Sequence, residues 1–351
     1  MASLSLHLVG AAGSGKSILF DALTETPDGP SFVHKGEVRI GSAKVPDLRL
    51  NHLNDIYKPK KFAPAEIVFV DPELRQKNRN GGSFMAEADA FVMVVQAFGE
   101  TDYTGKPIDP LSQMENLLLD LVLTDLERIE RRRQKAEKEK RAGKTLSLLE
   151  SRWLDRCQSQ LESNRPLLGM DFTPEEETMA QPYSFVSIKP LIVVANVAED
   201  NLNGVGLEPL KERCRELGVE CLPLCATLEA EISRLDPGEQ AAFLKDYGLL
   251  APAKDRLIQA AFRMLNLISF FTVGEDEVKA WTLRCGATAQ KAAGKIHSDI
   301  ERGFIRAEVV SFEDFQTAGS LSACKGRGTL RLEGKEYLVQ DGEIVHFRFN
   351  V

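Results

Sequence analysis

Hydrophobic positions along the chain change texture twice. Near the N-terminus a short apolar run at 4–9 leads into a glycine-rich stretch and then into Ile18-Leu19-Phe20-Asp21-Ala22-Leu23, which has helical spacing. This reads as strand, loop and helix. Further apolar runs at 67–70, 91–95 and 191–195 are rich in β-branched residues and alternate little, as expected of strands buried on both faces of a parallel sheet. With helices between them they predict a doubly wound α/β domain.

Between the third and fourth of these strands, residues 111–161 contain almost no Gly or Pro, and leucines recur with helical spacing among charges. Two long helices fit best: Leu117, Leu118, Leu121, Leu126 and Ile129 lead out, and Leu146, Leu149, Trp153 and Leu161 lead back. A turn is expected at Ala142-Gly143-Lys144, which makes an antiparallel helical hairpin inserted into the α/β domain. Beyond about residue 266 short β-like segments alternate with glycine turns, at 268–273, 280–284, 304–310, 329–332, 337–340 and 344–349. They predict a small β-rich domain, crossed by one helix at 289–293 or 299–303. The expected division is therefore 1–110 with 175–267 for the α/β domain, 111–174 for the hairpin and 268–351 for the C-terminal domain.

Composition adds limits. The 351 residues are 43% hydrophobic and 27% charged, with 44 Lys+Arg against 52 Asp+Glu and a net charge of −8. This is the profile of a water-soluble chain of two or three domains. No run approaches the roughly 18 apolar residues of a membrane span, and no basic leader precedes the first apolar run. A cytoplasmic protein without membrane contact is expected. The six cysteines form no zinc-like spacing; if Cys221-Leu-Pro-Leu-Cys225 is a strand, its two thiols share one buried face. The acidic balance leaves room only for local contact with nucleic acid.

The chemistry concentrates at Gly10-Ala-Ala-Gly-Ser-Gly-Lys-Ser17, which has the full phosphate-loop spacing and lies after a strand and at the start of a helix. In such a loop Ala12, Gly13, Ser14, Gly15, Lys16, Ser17 and Ile18 offer backbone N–H groups to phosphate oxygens, helped by the helix N-terminus. Lys16 would reach the β- and γ-phosphates, and the Ser17 hydroxyl would join the shell of a Mg²⁺. Asp71, at the end of the apolar run 67–70, is a second candidate for that shell, or else a turn-initiating Asp before Pro72. Asn196 ends another strand on the same edge, where its amide offers both a donor and an acceptor to a purine.

Several segments together resemble the YchF-type (Obg-like) family of P-loop ATPases and GTPases: residues 10–17, Val45-Pro-Asp-Leu-Arg49, Asp109-Pro110, Asn196-Val-Ala-Glu199, Leu228-Glu-Ala-Glu231, Phe270-Phe-Thr-Val-Gly274, Lys279-Ala-Trp281, Gly303-Phe-Ile-Arg-Ala-Glu308 and Glu333-Gly-Lys335. The resemblance implies a P-loop domain with a parallel-rich sheet, an inserted coiled-coil hairpin and a C-terminal ubiquitin-like β-grasp (TGS) domain. It also implies binding of ATP and/or GTP with Mg²⁺, slow hydrolysis, and the ribosome or its RNA as partner through the hairpin and the C-terminal domain. Asn196, the backbone of Val197, and the loop holding Ala226 and Thr227 become base contacts. Glu199 replaces the Asp of a guanine-reading loop, which implies ATP bound at least as well as GTP.

Three departures from the family pattern bear on hydrolysis. Asp71-Pro72-Glu73-Leu74 replaces its Asp-Ile-Ala-Gly, the following glycine loop shrinks to Asn80-Gly81-Gly82, and Lys35 stands where the family has a Mg²⁺-binding Thr. Gln76 reads as a solvated loop residue, so no catalytic residue is assigned, and an inactive nucleotide-binding module is the rival reading. The run 128–141 has eight basic and three acidic residues, which makes it either a solvated helix face or, with 58–61 and 325–328, a surface for RNA phosphates. Residues 270–351 carry eleven Lys/Arg against twelve Asp/Glu, so the C-terminal domain is not itself basic. His297 and Trp281 read as packing residues.

Overall fold

The computed structural model describes residues 4–26, 29–30, 32–35, 38–72, 81–141 and 145–350. The chain forms two compact units, one of Leu4–Ser42 with Val68–Lys254, the other of Ala43–Ile67 with the chain from Asp255 onward. Among the described residues no helix is long and apolar enough to cross a membrane.

The first unit is built on a seven-stranded sheet in the order Glu220–Leu224, Leu191–Val197, Ala90–Ala97, Ser5–Val9, Glu66–Pro72, Val38–Lys44, Phe32–Lys35. The first five strands are parallel to one another, and the last two form an antiparallel pair. The unalternating runs have the burial their composition demands: Leu191–Val197 is buried at every position, and Ala90–Ala97 at all but its last. Each such Val, Ile or Leu taken out of water contributes about 1.5–3 kcal/mol, which locks the central register Leu6↔Ala90 and Leu6↔Phe69. The acid ending Glu66–Pro72, the Asn ending Leu191–Val197 and the glycine loop after Ser5–Val9 thereby meet at one edge.

The hairpin follows the leucine pattern. Helices Pro110–Arg141 and Leu148–Glu162 face each other around buried Val122, Ile129, Trp153, Leu154 and Leu161, and Arg132–Glu150 and Arg133–Asp155 ion pairs join them. The expected turn at 142–144 lies outside the described residues. Asp125 is fully buried in the first helix and accepts the backbone N–H groups of Val186 and Ser187 at 2.7–3.0 Å. Desolvation raises its pKa, and those bonds together with Arg128 oppose the rise. The even spacing of Cys221 and Cys225 does not put them on one strand face, because Cys225 lies beyond the strand Glu220–Leu224 and caps the helix Ala226–Arg234.

The second unit has a six-stranded sheet in the order Arg331–Glu333, Phe304–Val310, Ile344–Phe349, Leu267–Thr272, Glu277–Arg284, Lys61–Ala63. Both candidate helices form, as Ala289–Ile296 and Ser298–Arg302, and the first buries Ala289, Ala292 and Ala293 against Phe270 and Ala307. Residues 337–340 are not a strand: only an isolated bridge, Thr288↔Leu338, ties them to a neighbour, and their apolar pattern reflects the burial of Val339. Helices Phe312–Ala318 and Leu321–Arg327 were not foreseen; Ser311 and Ser320 cap their starts, and Gly319 and Gly328 end them. The segment 43–67, assigned from sequence to the α/β domain, groups with the C-terminal residues. There Lys61–Ala63 pairs in parallel with Glu277–Arg284, and Arg49 bridges Asp47 and Asp341 at 2.8 and 2.7 Å. Trp281 does pack, with its indole N–H donating to Thr272, but His297 is an exposed helix cap whose Nδ1 accepts from Asp299 N.

Candidate nucleotide-binding site

The loop after Ser5–Val9 owes its path to two glycines. A Cβ on Gly10 would lie 2.3 Å from the Val94 carbonyl oxygen on the adjacent strand. Gly15, at φ +91°, sits in the left-handed region, and a Cβ there would strike Asn196 Nδ2 at 2.1 Å. Immediately after Gly15 the helix Lys16–Thr24 begins, so its first N–H groups open toward the loop.

Lys16 is buried, and its ammonium rests on the loop's own carbonyls, donating to Gly10 O at 2.7 Å and Ala11 O at 2.8 Å. Desolvation lowers its pKa, while the charge of Asp71 acts in the opposite sense. A cation held this way needs no counter-ion until an anion enters the loop. Ser14 is fully buried, and its hydroxyl oxygen finds no hydrogen-bond partner among the described residues. Ser17 is half-buried and Ile18 exposed, while Ala12 and Gly13 form the partly open rim of the loop.

Asp71 is completely buried at the end of its strand, and its two oxygens differ. Oδ2 accepts from Arg39 Nη2 at 2.6 Å, whereas Oδ1 is buried with no partner among the described residues. Arg39 also donates to Asp21 Oδ1 at 2.6 Å and to the Ser17 carbonyl at 3.2 Å, and its guanidinium lies 4.6 Å over the Phe20 ring. Burial alone would weaken its hold on a proton, but Asp71 and Asp21 reverse this and raise its pKa. The orphaned Oδ1 and the Ser17 hydroxyl are hard oxygen donors of the kind Mg²⁺ takes, with water and phosphate completing the shell. Among the described residues no group of three or more His, Cys, Asp or Glu could hold a metal by itself.

Asn196 staples the phosphate loop to the base loop. Its Nδ2 donates to Ser14 O at 3.0 Å and its Oδ1 accepts from Ala226 N at 2.9 Å. One amide hydrogen of Nδ2 remains for a ligand. Val197 and Ala226 are buried, Thr227 is exposed, and its hydroxyl lies 3.1 Å from Cys225 Sγ. Glu199 is exposed and takes a hydrogen bond from the Tyr247 hydroxyl. The geometry thus brings the loop, Asp71, Asn196 and the 225–227 turn together at one sheet edge. Lys35 ends the strand Phe32–Lys35; Glu73, Leu74, Gln76 and Asn80 lie outside the described residues, and Gly81 and Gly82 open the helix Gly81–Glu87.

Sequence reasoning missed Arg39 and Tyr247, because neither belongs to a motif and each acts through a partner distant in sequence. The only trace of Arg39 is a cation at the start of a short β-branched run, facing an acid that needs a counter-charge. The basic run 128–141 is also less free than its composition suggests. Arg128, Arg131, Arg132 and Arg133 pair with Asp125, Glu127, Glu139, Glu150 and Asp155, so these four cations balance acids within the hairpin.

Known proteins resemble this arrangement over its full length. The family model YchF-GTPase_C, described as "Protein of unknown function (DUF933)", matches residues 267–350. The Ribosome-binding ATPase YchF of Bacillus subtilis is 35% identical over 99% of this chain and 100% of its own length. The protein of the same name from Haemophilus influenzae is 37% identical over 98% of each. Among solved structures, the Schizosaccharomyces pombe YchF GTPase superposes with a TM-score of 0.86 at 26% identity, covering 99% of this chain and 98% of the other. A GTP binding protein from Pyrococcus horikoshii superposes at 0.61 with 17% identity, covering 99% of this chain and 100% of the other, a likeness of fold alone.

Proposed function

The chain belongs to the YchF family, and from that premise we propose that it binds a purine nucleoside triphosphate, ATP and/or GTP, together with Mg²⁺, hydrolyses it slowly, and works on the ribosome in the cytoplasm. The observation that carries this reading is the preformed loop: Lys16 parked on Gly10 O and Ala11 O, beside an Asp71 oxygen that has no partner among the described residues. A triphosphate entering the loop would draw Lys16 off those carbonyls and accept N–H groups of residues 12–18. Ser17 and Asp71 Oδ1 would hold Mg²⁺, which when bound neutralises phosphate charge. Asn196, the Val197 backbone, Ala226 and Thr227 would frame the base. The relatives' printed names support the ribosome as partner.

Calorimetry of the whole chain with ATP, GTP and their diphosphates, with and without Mg²⁺, tests the binding. Saturable binding of a triphosphate that is lost in Lys16→Ala is expected, and heats no larger than buffer dilution would refute the proposal. Sedimentation with ribosomes in each nucleotide state tests the partner; absence from the pellet in every state counts against it. One observation favours the rival reading of an inactive binding module: Arg39 already occupies half of the Asp71 carboxylate. Single-turnover phosphate release separates the two, because an enzyme must exceed the uncatalysed rate and lose that excess in Lys16→Ala.

A further inference from the structure

We propose that Tyr247 sets the base preference of this site, its hydroxyl holding the Glu199 carboxylate off the base so that guanine is not enforced. The inference rests on the nucleotide-binding reading above. An acid three residues after Asn196 can read guanine only if its carboxylate faces the base and accepts from N1–H and N2–H together. Adenine offers one donor at N6 and a repelling lone pair at N1, so a free carboxylate there favours guanine.

Here the carboxylate is engaged elsewhere. Glu199 opens the single turn Glu199–Asn201, and Oε1 accepts from the Tyr247 hydroxyl. The turn is braced by Asn201, whose side chain accepts from Val205 N at 2.8 Å and donates to Val205 O at 3.1 Å. Tyr247 is fixed from behind. It ends the helix Pro237–Asp246 with its N–H on Phe243 O at 3.2 Å, and its ring stacks on Phe243 at 4.8 Å and 22°. Phe243 packs against Cys225, Leu228 and Ile232, which belong to the base loop and the helix that continues from it. The tyrosine therefore keeps its place, and Glu199 is drawn to it. Acceptance by Glu199 raises the pKa of the phenol, which keeps it a donor at neutral pH. Tyr247 is a positioning residue that acts through Glu199.

The test is calorimetry of the full chain with ATP and GTP in Mg²⁺, comparing the wild type with Tyr247→Phe, Glu199→Gln and the double variant. Tyr247→Phe retains the ring stack and is expected to move the affinity ratio toward GTP by about fivefold, the worth of one partly exposed charge-assisted hydrogen bond. In the Glu199→Gln background the same change should move the ratio by less than about twofold, since no carboxylate is left to release. An unchanged ratio in Tyr247→Phe, or an equal shift in both backgrounds, overturns the inference. Tyr247→Leu, which also removes the ring, should shift the ratio in the same direction; a shift in Leu without one in Phe makes packing the cause and overturns it too. Failure of the wild type to bind either nucleotide overturns the nucleotide reading instead, and this inference with it.

Discussion

Replacing Arg39 with leucine isolates the electrostatics beneath the phosphate loop. Arg39 and Asp71 are 12% and 0% exposed and meet at 2.6 Å, while Asp21, its second partner, is 27% exposed. Removing the cation leaves Asp71 as an uncompensated buried charge, a loss of about 3–5 kcal/mol. The better-solvated Asp21 pair adds at most about 1 kcal/mol. The lost stacking of the guanidinium over Phe20, at 4.6 Å, is partly replaced by leucine contact with the same ring. A net destabilisation of about 3–6 kcal/mol is expected. Urea unfolding followed by the fluorescence of Trp153, in a Trp281→Phe background, reads the unit that contains Arg39 without signal from the other. Asp71→Asn added to Arg39→Leu should restore most of the loss, because a neutral amide needs no counter-charge. A loss below about 1 kcal/mol, or a double variant no better than the single one, would refute the argument that charge burial governs this site.

His7 is buried beside Lys189, and desolvation first and the lysine charge second lower its pKa from 6.5 to about 4. The unfolded chain therefore takes up a proton that the folded one refuses between those values. Stability is complete above pH 6.5 and falls by up to about 3 kcal/mol on acidification toward pH 4; in His7→Leu the urea midpoint should lose most of that dependence. Gly15→Ala places a methyl on Asn196 and strains a positive-φ residue, so triphosphate affinity should fall more than about tenfold, and wild-type affinity by calorimetry would contradict the close approach. Buried Glu229 accepts from Ala253 N and Lys254 N at 2.8 and 3.0 Å; Glu229→Ala should destabilise by about 2–3 kcal/mol in urea, and a change within about 0.5 kcal/mol would show those bonds to be dispensable.

The two kinds of periodicity were legible because burial writes them into composition. A strand covered on both faces must be apolar throughout, and a hairpin helix must repeat its leucines every three or four residues. The phosphate loop was legible for a different reason, since only glycine satisfies the contacts at Gly10 and Gly15. Residues 337–340 misled because burial of one side, at Val339, leaves the same trace as a strand. The capped helices Phe312–Ala318 and Leu321–Arg327 are too short to show a period, and their serine and glycine ends were the only signal available. Arg39 left only a faint trace and Tyr247 none, because a polar residue's partner is a matter of topology.

The segments that carried the resemblance serve different ends in the folded chain. Arg49 ties Asp47 to Asp341 within the second unit, Asp109 caps the hairpin's first helix by accepting from Ser112 N at 3.1 Å, and Glu229 anchors the backbone at Ala253 and Lys254. These side chains hold backbone groups or one another, so losing any of them leaves a charge or a peptide group without its partner, a cost in stability whatever the ligand. Lys16, Asn196 and the glycines are bound to one another by the loop they build.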